Sequence, residues 1–129
     1  MNTLHTFSAP IGRFLIALIF FMAGINKIFS YAGTQGYMEA FNMSEGLLPL
    51  VIIIEVFAGL AIIIGWKTRL SAFILAGFSV ISAVIFHANF ADQVQFILFM
   101  KNIGLAGGLL LLVANGPGAY ALDNRFKSE

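Results

Sequence analysis

Apolar residues are gathered into four long stretches along the chain, each about long enough to cross a bilayer as a helix. A hydrocarbon core of about 30 Å takes roughly 20 helical residues to cross. The stretches cover about residues 11–29, 47–65, 70–90 and 96–114. Pro10 precedes the first and Gly116-Pro117-Gly118 follows the last, so both ends carry helix-breaking residues. The pattern predicts an all-α fold, an integral membrane four-helix bundle.

Basic residues near the ends of the stretches predict the orientation of the bundle. They occur at the N-terminal side, in the connection between spans 2 and 3 and in the tail, as Arg13, Lys67, Arg69, Arg125 and Lys127. Four spans place these three regions on one face, and an excess of basic residues marks the cytoplasmic face. We therefore predict that both termini are inside (N-in/C-in). Arg69 is interpreted as a topology anchor, and Asp123 and Arg125 are expected to pair locally.

The first outer loop, about residues 30–46, has a helical pattern of its own. Tyr37, Met38 and Phe41 recur at helical spacing. A short amphipathic helix lying in the membrane interface would explain this spacing. An ordinary loop with scattered aromatic residues is the alternative, because so few positions define the period.

Composition supports the membrane interpretation and excludes several kinds of site. The 129 residues are 60% hydrophobic and 10% charged, with a mean hydropathy of +0.94, too apolar for a water-soluble domain of this size. The spans occupy most of the chain, so residues 1–129 are predicted to form a single transmembrane domain. Cysteine is absent, which excludes disulfides, thiol redox relays and iron–sulfur clusters in this chain. Neither a metal site nor a nucleic-acid partner is expected.

Six polar side chains interrupt the apolar stretches, and all of them fall toward the outer side. They are Asn26, Lys27, Glu55, His87, Lys101 and Asn102. A charge in hydrocarbon costs at least about 2.5 kcal/mol, so it is normally paired, hydrated or functional. At 1.5 Å per residue, Glu55 lies about 12 Å below the outer end of its span and Lys101 about 8 Å. Lys27 and His87 lie about one turn from theirs, so the four ionisable residues can share one layer.

The ionisable residues also share helix faces with small residues, which favours a location inside the bundle. The small neighbours are Gly24 for Lys27, Gly59 for Glu55, Ala83 for His87, and Gly104 and Gly108 for Lys101. Such small-residue faces allow helices to approach closely in membranes. We therefore expect all four ionisable groups to point into the bundle rather than at lipid.

The charges of this layer do not balance, and the excess of positive charge favours a bound ligand. One carboxylate, Glu55, faces two lysines, so a bound anion, water or deprotonation must neutralise one cation. Lys101 and Asn102 would hold an electron-rich oxygen such as a carboxylate or a quinone carbonyl, and His87 would exchange protons with the outer face. Asn26 and Asn102 are also expected to form hydrogen bonds between helices. Two alternatives stay open: Lys27 and His87 could extend to the interface, and Glu55 paired with a lysine could simply fix the helix register.

Four segments resemble the DoxX family of small bacterial membrane proteins. They are AGINKIF at the end of span 1, IIIEVFAGLAIIIGWKTR in span 2, FHANF after span 3 and KNIGLAGGLLLLVANGPGAYALD from span 4 onward. The resemblance implies a multi-pass protein of the cell (inner) membrane, in a family that is named for its similarity to membrane subunits of thiosulfate:quinone oxidoreductases.

Two functions from different classes follow from the sequence. The first is a membrane subunit whose outer-half pocket, formed by Lys27, Glu55, His87, Lys101 and Asn102, binds a small lipophilic or anionic ligand. A quinone is the cofactor this would suit, and the partner would be a membrane or peripheral oxidoreductase. The second is a non-catalytic scaffold or a small-solute transporter, in which the polar layer sets packing or lines a path. A homo-oligomer is compatible with either.

Overall fold

The computed structural model describes residues 3–125, and every regular element in that range is helical. The helices are α1 (Thr3–Phe29), α2 (Tyr31–Ala40), α3 (Leu48–Ile53), α4 (Gly59–Ile64), α5 (Thr68–Phe86) and α6 (Gln93–Asn115). A 3₁₀ turn (Glu45–Leu47) precedes α3, and a second one (Leu122–Arg125) lies in the tail. A π-helical turn (Ile54–Ala58) joins α3 to α4, so these pieces form one continuous rod. The predicted all-α fold is confirmed.

Four segments are long and apolar enough to cross a membrane, as predicted. Spans 1 to 4 are Thr6–Phe29, Glu45–Ile64, Thr68–Phe86 and Gln93–Asn115. Span 3 ends four residues earlier than the sequence pattern indicates. The polar group that follows it, His87-Ala88-Asn89, leaves the helix, and His87 is its C-terminal cap.

The first helix extends through Pro10 instead of beginning after it. A proline removes one backbone hydrogen bond and usually bends a helix. Here the segment before it is held from outside, because the Phe7 ring stacks on Tyr120 of the tail at 5.7 Å between centroids. The prediction that the first helix begins after Pro10 is therefore wrong. The contact also shows that the two ends of the described chain lie on the same side of the bundle.

The core of the bundle lies toward that side and is built from small and aliphatic residues. Its buried members are Ala17, Phe20, Ile62, Ala72, Leu75, Ala76, Ala106 and Leu109. Spans 1 and 2 approach most closely at glycines: a Cβ on Gly59 would lie 3.1 Å from the backbone nitrogen of Phe21, and one on Gly24 would lie 2.6 Å from Val56. The predicted small-residue faces on spans 1 and 2 are therefore contact faces.

Span 4 packs chiefly against span 3 and only slightly against span 1. A Cβ on Gly108 would meet Ile16 of span 1 at 2.9 Å, whereas nothing lies within 4 Å of the same position on Gly104. The predicted close contact through both glycines therefore holds for Gly108 and is wrong for Gly104. Spans 1 and 4 therefore touch at the level of Gly108, and nothing packs on Gly104 one turn further out.

The helix predicted in the first outer loop is present as α2. Met38 is its buried residue, and Tyr37 and Phe41 form an aromatic cluster with Phe86 of span 3. The centroids of Tyr37 and Phe86 are 5.4 Å apart, and those of Phe41 and Phe86 are 5.1 Å apart. The spacing that predicted a helix therefore reflects a face that packs onto the outer end of span 3.

Candidate functional site

A cavity of about 450 Å³ lies in the outer half of the bundle, among all four spans and α2. Most of its wall is apolar, from residues such as Phe20, Val51 and Phe78. The five residues predicted to form a ligand site, Lys27, Glu55, His87, Lys101 and Asn102, all line it. The structure thus brings the predicted constellation to one cavity, although the five side chains differ in their contacts and exposure.

Glu55 is the buried member of the group. Its side chain is 5% exposed, and Lys27 Nζ lies 2.8 Å from its Oε1 atom, while the Lys27 side chain is 27% exposed. Glu55 follows Glu45, the first residue of span 2, by ten positions, which at 1.5 Å each corresponds to a depth of about 15 Å. This is the only salt bridge within the described part of the chain.

The backbone around Glu55 is unusual, because the residue belongs to the π-helical turn Ile54–Ala58. Such turns insert an extra residue into a helix and occur frequently at functional sites. On the facing helix, a Cβ on Gly24 would lie 3.1 Å from the Glu55 Cβ, so the two backbones are close at this level. Together these features place the carboxylate within reach of Lys27, one span away.

His87 and Asn102 are fixed by hydrogen bonds to neighbouring elements. His87 Nδ1 lies 2.8 Å from Gln95 Oε1 at the start of α6, an interaction that the sequence did not indicate. Asn102 Nδ2 donates to the carbonyl of Ser79 at 3.3 Å, which confirms the predicted hydrogen bond between spans. Asn26 is exposed, and among residues 3–125 its side chain has no such partner, so the same prediction is wrong for Asn26.

Lys101 lines the cavity but is also exposed at the surface of the bundle. The expectation that every ionisable group is shielded from lipid is therefore wrong for this residue. Span 4 makes few contacts with span 1, and nothing packs on Gly104, one turn below Lys101. Lys101 has no carboxylate partner among the described residues.

The outer end of the cavity is covered by α2 and the segment after it. Thr34, Tyr37, Met38 and Met43 all line the space from above. Partial burial raises the pKa of Tyr37, so its hydroxyl stays protonated over the physiological range. An aromatic and aliphatic cover therefore lies over the outer end of the cavity.

The described residues contain no group of three His, Asp or Glu side chains that could hold a metal ion. The polar residues that line the cavity carry amine, amide, imidazole, carboxylate and hydroxyl groups. Such a set suits an organic molecule with oxygen atoms better than a metal.

Comparison with known proteins agrees with the resemblance noted in the sequence. The DoxX profile matches residues 9–88. The chain belongs to the DoxX family. The matched segment of this DoxX protein includes Lys27, Glu55 and His87 and ends before Lys101 and Asn102. No solved structure matches the chain significantly.

Two relatives of this DoxX protein are inner membrane proteins of Escherichia coli (strain K12). YqjF is 46% identical over 123 residues, which is 95% of this chain and 95% of that protein. YphA is 35% identical over 140 residues, which is 97% of this chain and 100% of that protein. These two relatives, together with the four helices of this chain that are long and apolar enough to cross a membrane, confirm the predicted location in the inner membrane.

Arg13 has a structural role that the sequence analysis missed. Its side chain is 2% exposed, and its guanidinium donates to four backbone carbonyls. Nη1 reaches Ile62 at 3.0 Å and Ile63 at 3.1 Å, and Nη2 reaches Ala119 at 3.1 Å and Tyr120 at 3.0 Å. Arg13 therefore joins the inner end of span 2 to the tail. An arginine near the inner end of a span is already explained as a topology signal, so the sequence does not indicate this structural role.

Asp123 also has a different partner from the one expected. It accepts hydrogen bonds from the backbone nitrogens of Lys67 and Thr68, at 2.5 and 2.8 Å, at the N-terminus of α5. The predicted local pairing with Arg125 is wrong, because α5 begins with unpaired N–H groups that attract a carboxylate. Lys127 lies outside the described residues.

Asp123→Ala should destabilise the protein by about 1 kcal/mol, the usual cost of losing a carboxylate at a helix N-terminus. Partial burial acts to raise the pKa of Asp123, but hydrogen bonds from Thr68 and Lys67 outweigh it and hold the pKa below its ordinary value. The contribution is therefore complete above about pH 4, the ordinary range of an aspartate, and is lost as pH falls through the lowered pKa. Thermal unfolding in detergent at several pH values measures the difference from wild type.

Glu39→Ala, at an exposed carboxylate of α2, is the control for this experiment. It should leave stability unchanged at every pH. A difference between Asp123→Ala and wild type that stayed constant down to pH 2 would contradict the assigned role of the carboxylate.

Proposed function

We propose that this DoxX protein is a membrane subunit that binds a small lipophilic molecule with an electron-rich oxygen, a quinone, in its outer-half cavity. The observation that carries the proposal is a cavity of about 450 Å³ with apolar walls, lined by Asn102 and by Lys101, a lysine without a carboxylate partner among residues 3–125. Ligand pockets commonly measure about 300–1,000 Å³, are lined mainly by apolar residues and carry a few polar groups that orient the ligand.

The charges of the cavity favour an oxygen acceptor as the ligand group. Lys27 is paired with Glu55, which leaves Lys101 as the cation without a carboxylate among the described residues. A lysine ammonium has three donors and no acceptor. Asn102 uses one amide hydrogen on Ser79 and retains its side-chain oxygen and a second hydrogen. A quinone carbonyl placed between Lys101 and Asn102 would receive hydrogen bonds from both.

His87 supports this choice of ligand because quinone reduction consumes protons. Conversion of a quinone to a quinol takes up two electrons and two protons. The interaction of His87 Nδ1 with Gln95 leaves Nε2 for a second partner, and the residue lies where span 3 ends on the outer side. The chain has no cysteine, so the electrons would come from an oxidoreductase partner that carries its own redox centre.

Binding of decylubiquinone to the purified protein, measured by equilibrium dialysis in detergent, tests the proposal. Lys101→Met should weaken binding at least tenfold, because the ammonium donor is lost while the side-chain length is kept. Glu55→Gln should weaken it to a smaller extent by releasing Lys27. Lys67→Met is the matched control, because Lys67 lies at the start of α5, outside the cavity. Unchanged binding in both cavity variants would overturn the assignment of the pocket.

A scaffold role is the second candidate, and the Lys27–Glu55 contact of 2.8 Å favours it. A buried ion pair can serve to fix the register of two helices without any ligand. In that case Glu55→Gln should lower thermal stability while decylubiquinone binding is absent in wild type as well. The same purified proteins therefore distinguish the two functions.

A further inference from the structure

The two most exposed apolar residues of the cavity wall lie on spans 2 and 3. Leu50 of α3 is 53% exposed and Ile81 of α5 is 61% exposed, yet both line the cavity. They belong to spans 2 and 3, which are neighbours in the bundle. A side chain that lines the cavity and is also exposed at the outside of the bundle marks a place where the cavity wall is thin or open. In this membrane protein that place faces hydrocarbon.

The packing of span 2 explains why an opening occurs there. Its inner part, α4, packs against both α1 and α5, whereas its outer part, α3, packs chiefly against α1. The change occurs at the π-helical turn Ile54–Ala58, where an extra residue shifts the helix face. The outer half of span 2 therefore follows span 1 and leaves a gap toward span 3.

The other sides of the cavity are less suited to a hydrocarbon chain. The outer end is covered by α2, where Met38 is 5% exposed and Tyr37 and Phe41 pack on Phe86. The part of the wall formed by span 4 carries the ammonium of Lys101, which an alkyl chain would desolvate. The gap beside Leu50 and Ile81 is bordered by aliphatic residues.

We infer that the ligand enters the cavity sideways from the bilayer, between the outer halves of spans 2 and 3, and that it carries a hydrocarbon tail that stays in this gap. The inference rests on the proposed function and specifies its ligand class: a membrane-borne amphipath with an oxygen-bearing head rather than a solute from the outer aqueous side. The head lies against Lys101 and Asn102, and the tail passes between Leu50 and Ile81.

The test compares two probes on the full chain in liposomes: decylubiquinone and the tailless 2,3-dimethoxy-5-methyl-1,4-benzoquinone. Wild type should bind the tailed quinone at least tenfold more tightly after correction for partition into lipid. Ile81→Trp and Leu50→Trp, which fill the gap from either side, should each reduce binding of the tailed probe at least fivefold. Ile74→Trp is the matched control, because Ile74 is exposed on the same helix but does not line the cavity.

The outcomes separate this inference from the proposed function. Equal affinity for both probes, or unchanged binding of the tailed probe in both tryptophan variants, would overturn lateral entry and leave the quinone site in place. Failure of wild type to bind either probe would overturn both. A misfolded Ile81→Trp protein, recognised by its elution volume, is replaced by Leu50→Trp, which tests the same gap from the other wall.

Discussion

Arg13→Gln should destabilise the protein by at least about 3 kcal/mol, the largest effect expected on the inner side of the bundle. The guanidinium satisfies four backbone carbonyls, two at the end of span 2 and two in the tail. A glutamine is shorter and has only two amide hydrogens, so most of these buried acceptors would lose their donor. Thermal unfolding of the purified protein, followed by circular dichroism in detergent, measures the loss.

The stabilising effect of Arg13 comes from the geometry of its guanidinium and not from its charge alone. Arg13→Lys keeps the charge but lacks the planar fork that serves two carbonyl pairs, so it should lose nearly as much stability as Arg13→Gln. Arg69→Gln is the control, because Arg69 is an exposed basic residue on the same face of the bundle. A melting temperature for Arg13→Lys equal to that of wild type would show that the four hydrogen bonds are not what holds the tail.

Arg13 also illustrates what the sequence of a membrane protein conceals. Its position close to the start of span 1 satisfies the positive-inside rule, so nothing in the pattern calls for a second explanation. Its partners are carbonyl groups of Ile62 and Tyr120, which are 49 and 107 positions away. Backbone acceptors are present at every residue, so their identity follows only from the packing of the tail against the end of span 2.

The cavity was more accessible to prediction than the tail because it depends on helix geometry. Helix rise and the alternating direction of the spans bring Lys27, Glu55 and Lys101 to similar levels. A charged residue within an apolar span also has few favourable locations, and the interior of the bundle is one of them. The π-helical turn at Glu55 was not predictable, because its residues, Ile54–Ala58, are ordinary for a transmembrane helix. The exposure of Lys101 was not predictable either, because it depends on how little span 4 packs against span 1.

Lys27→Met should destabilise the protein by about 3 kcal/mol, because it leaves the deep carboxylate of Glu55 without its cation. Glu55 lies about 15 Å into span 2 and has a short side chain, so it cannot reach the interface. Glu55→Gln should cost only about 1 kcal/mol, because the ammonium of Lys27 is two residues from the end of α1 and can extend toward the headgroups.

The asymmetry between these two variants is what distinguishes a buried pair from two independent polar residues. Lys27→Met/Glu55→Gln should be about 2 kcal/mol more stable than the sum of the two single changes implies, since no uncompensated charge remains. Thermal unfolding of the four proteins in the same detergent gives the coupling. Asn26→Ala, an exposed neighbour on α1, should change neither stability nor coupling. If the two single variants were equally stable and their effects added, the carboxylate would have another source of compensation in the cavity, and the assignment of Lys101 as the ligand-binding cation would need revision.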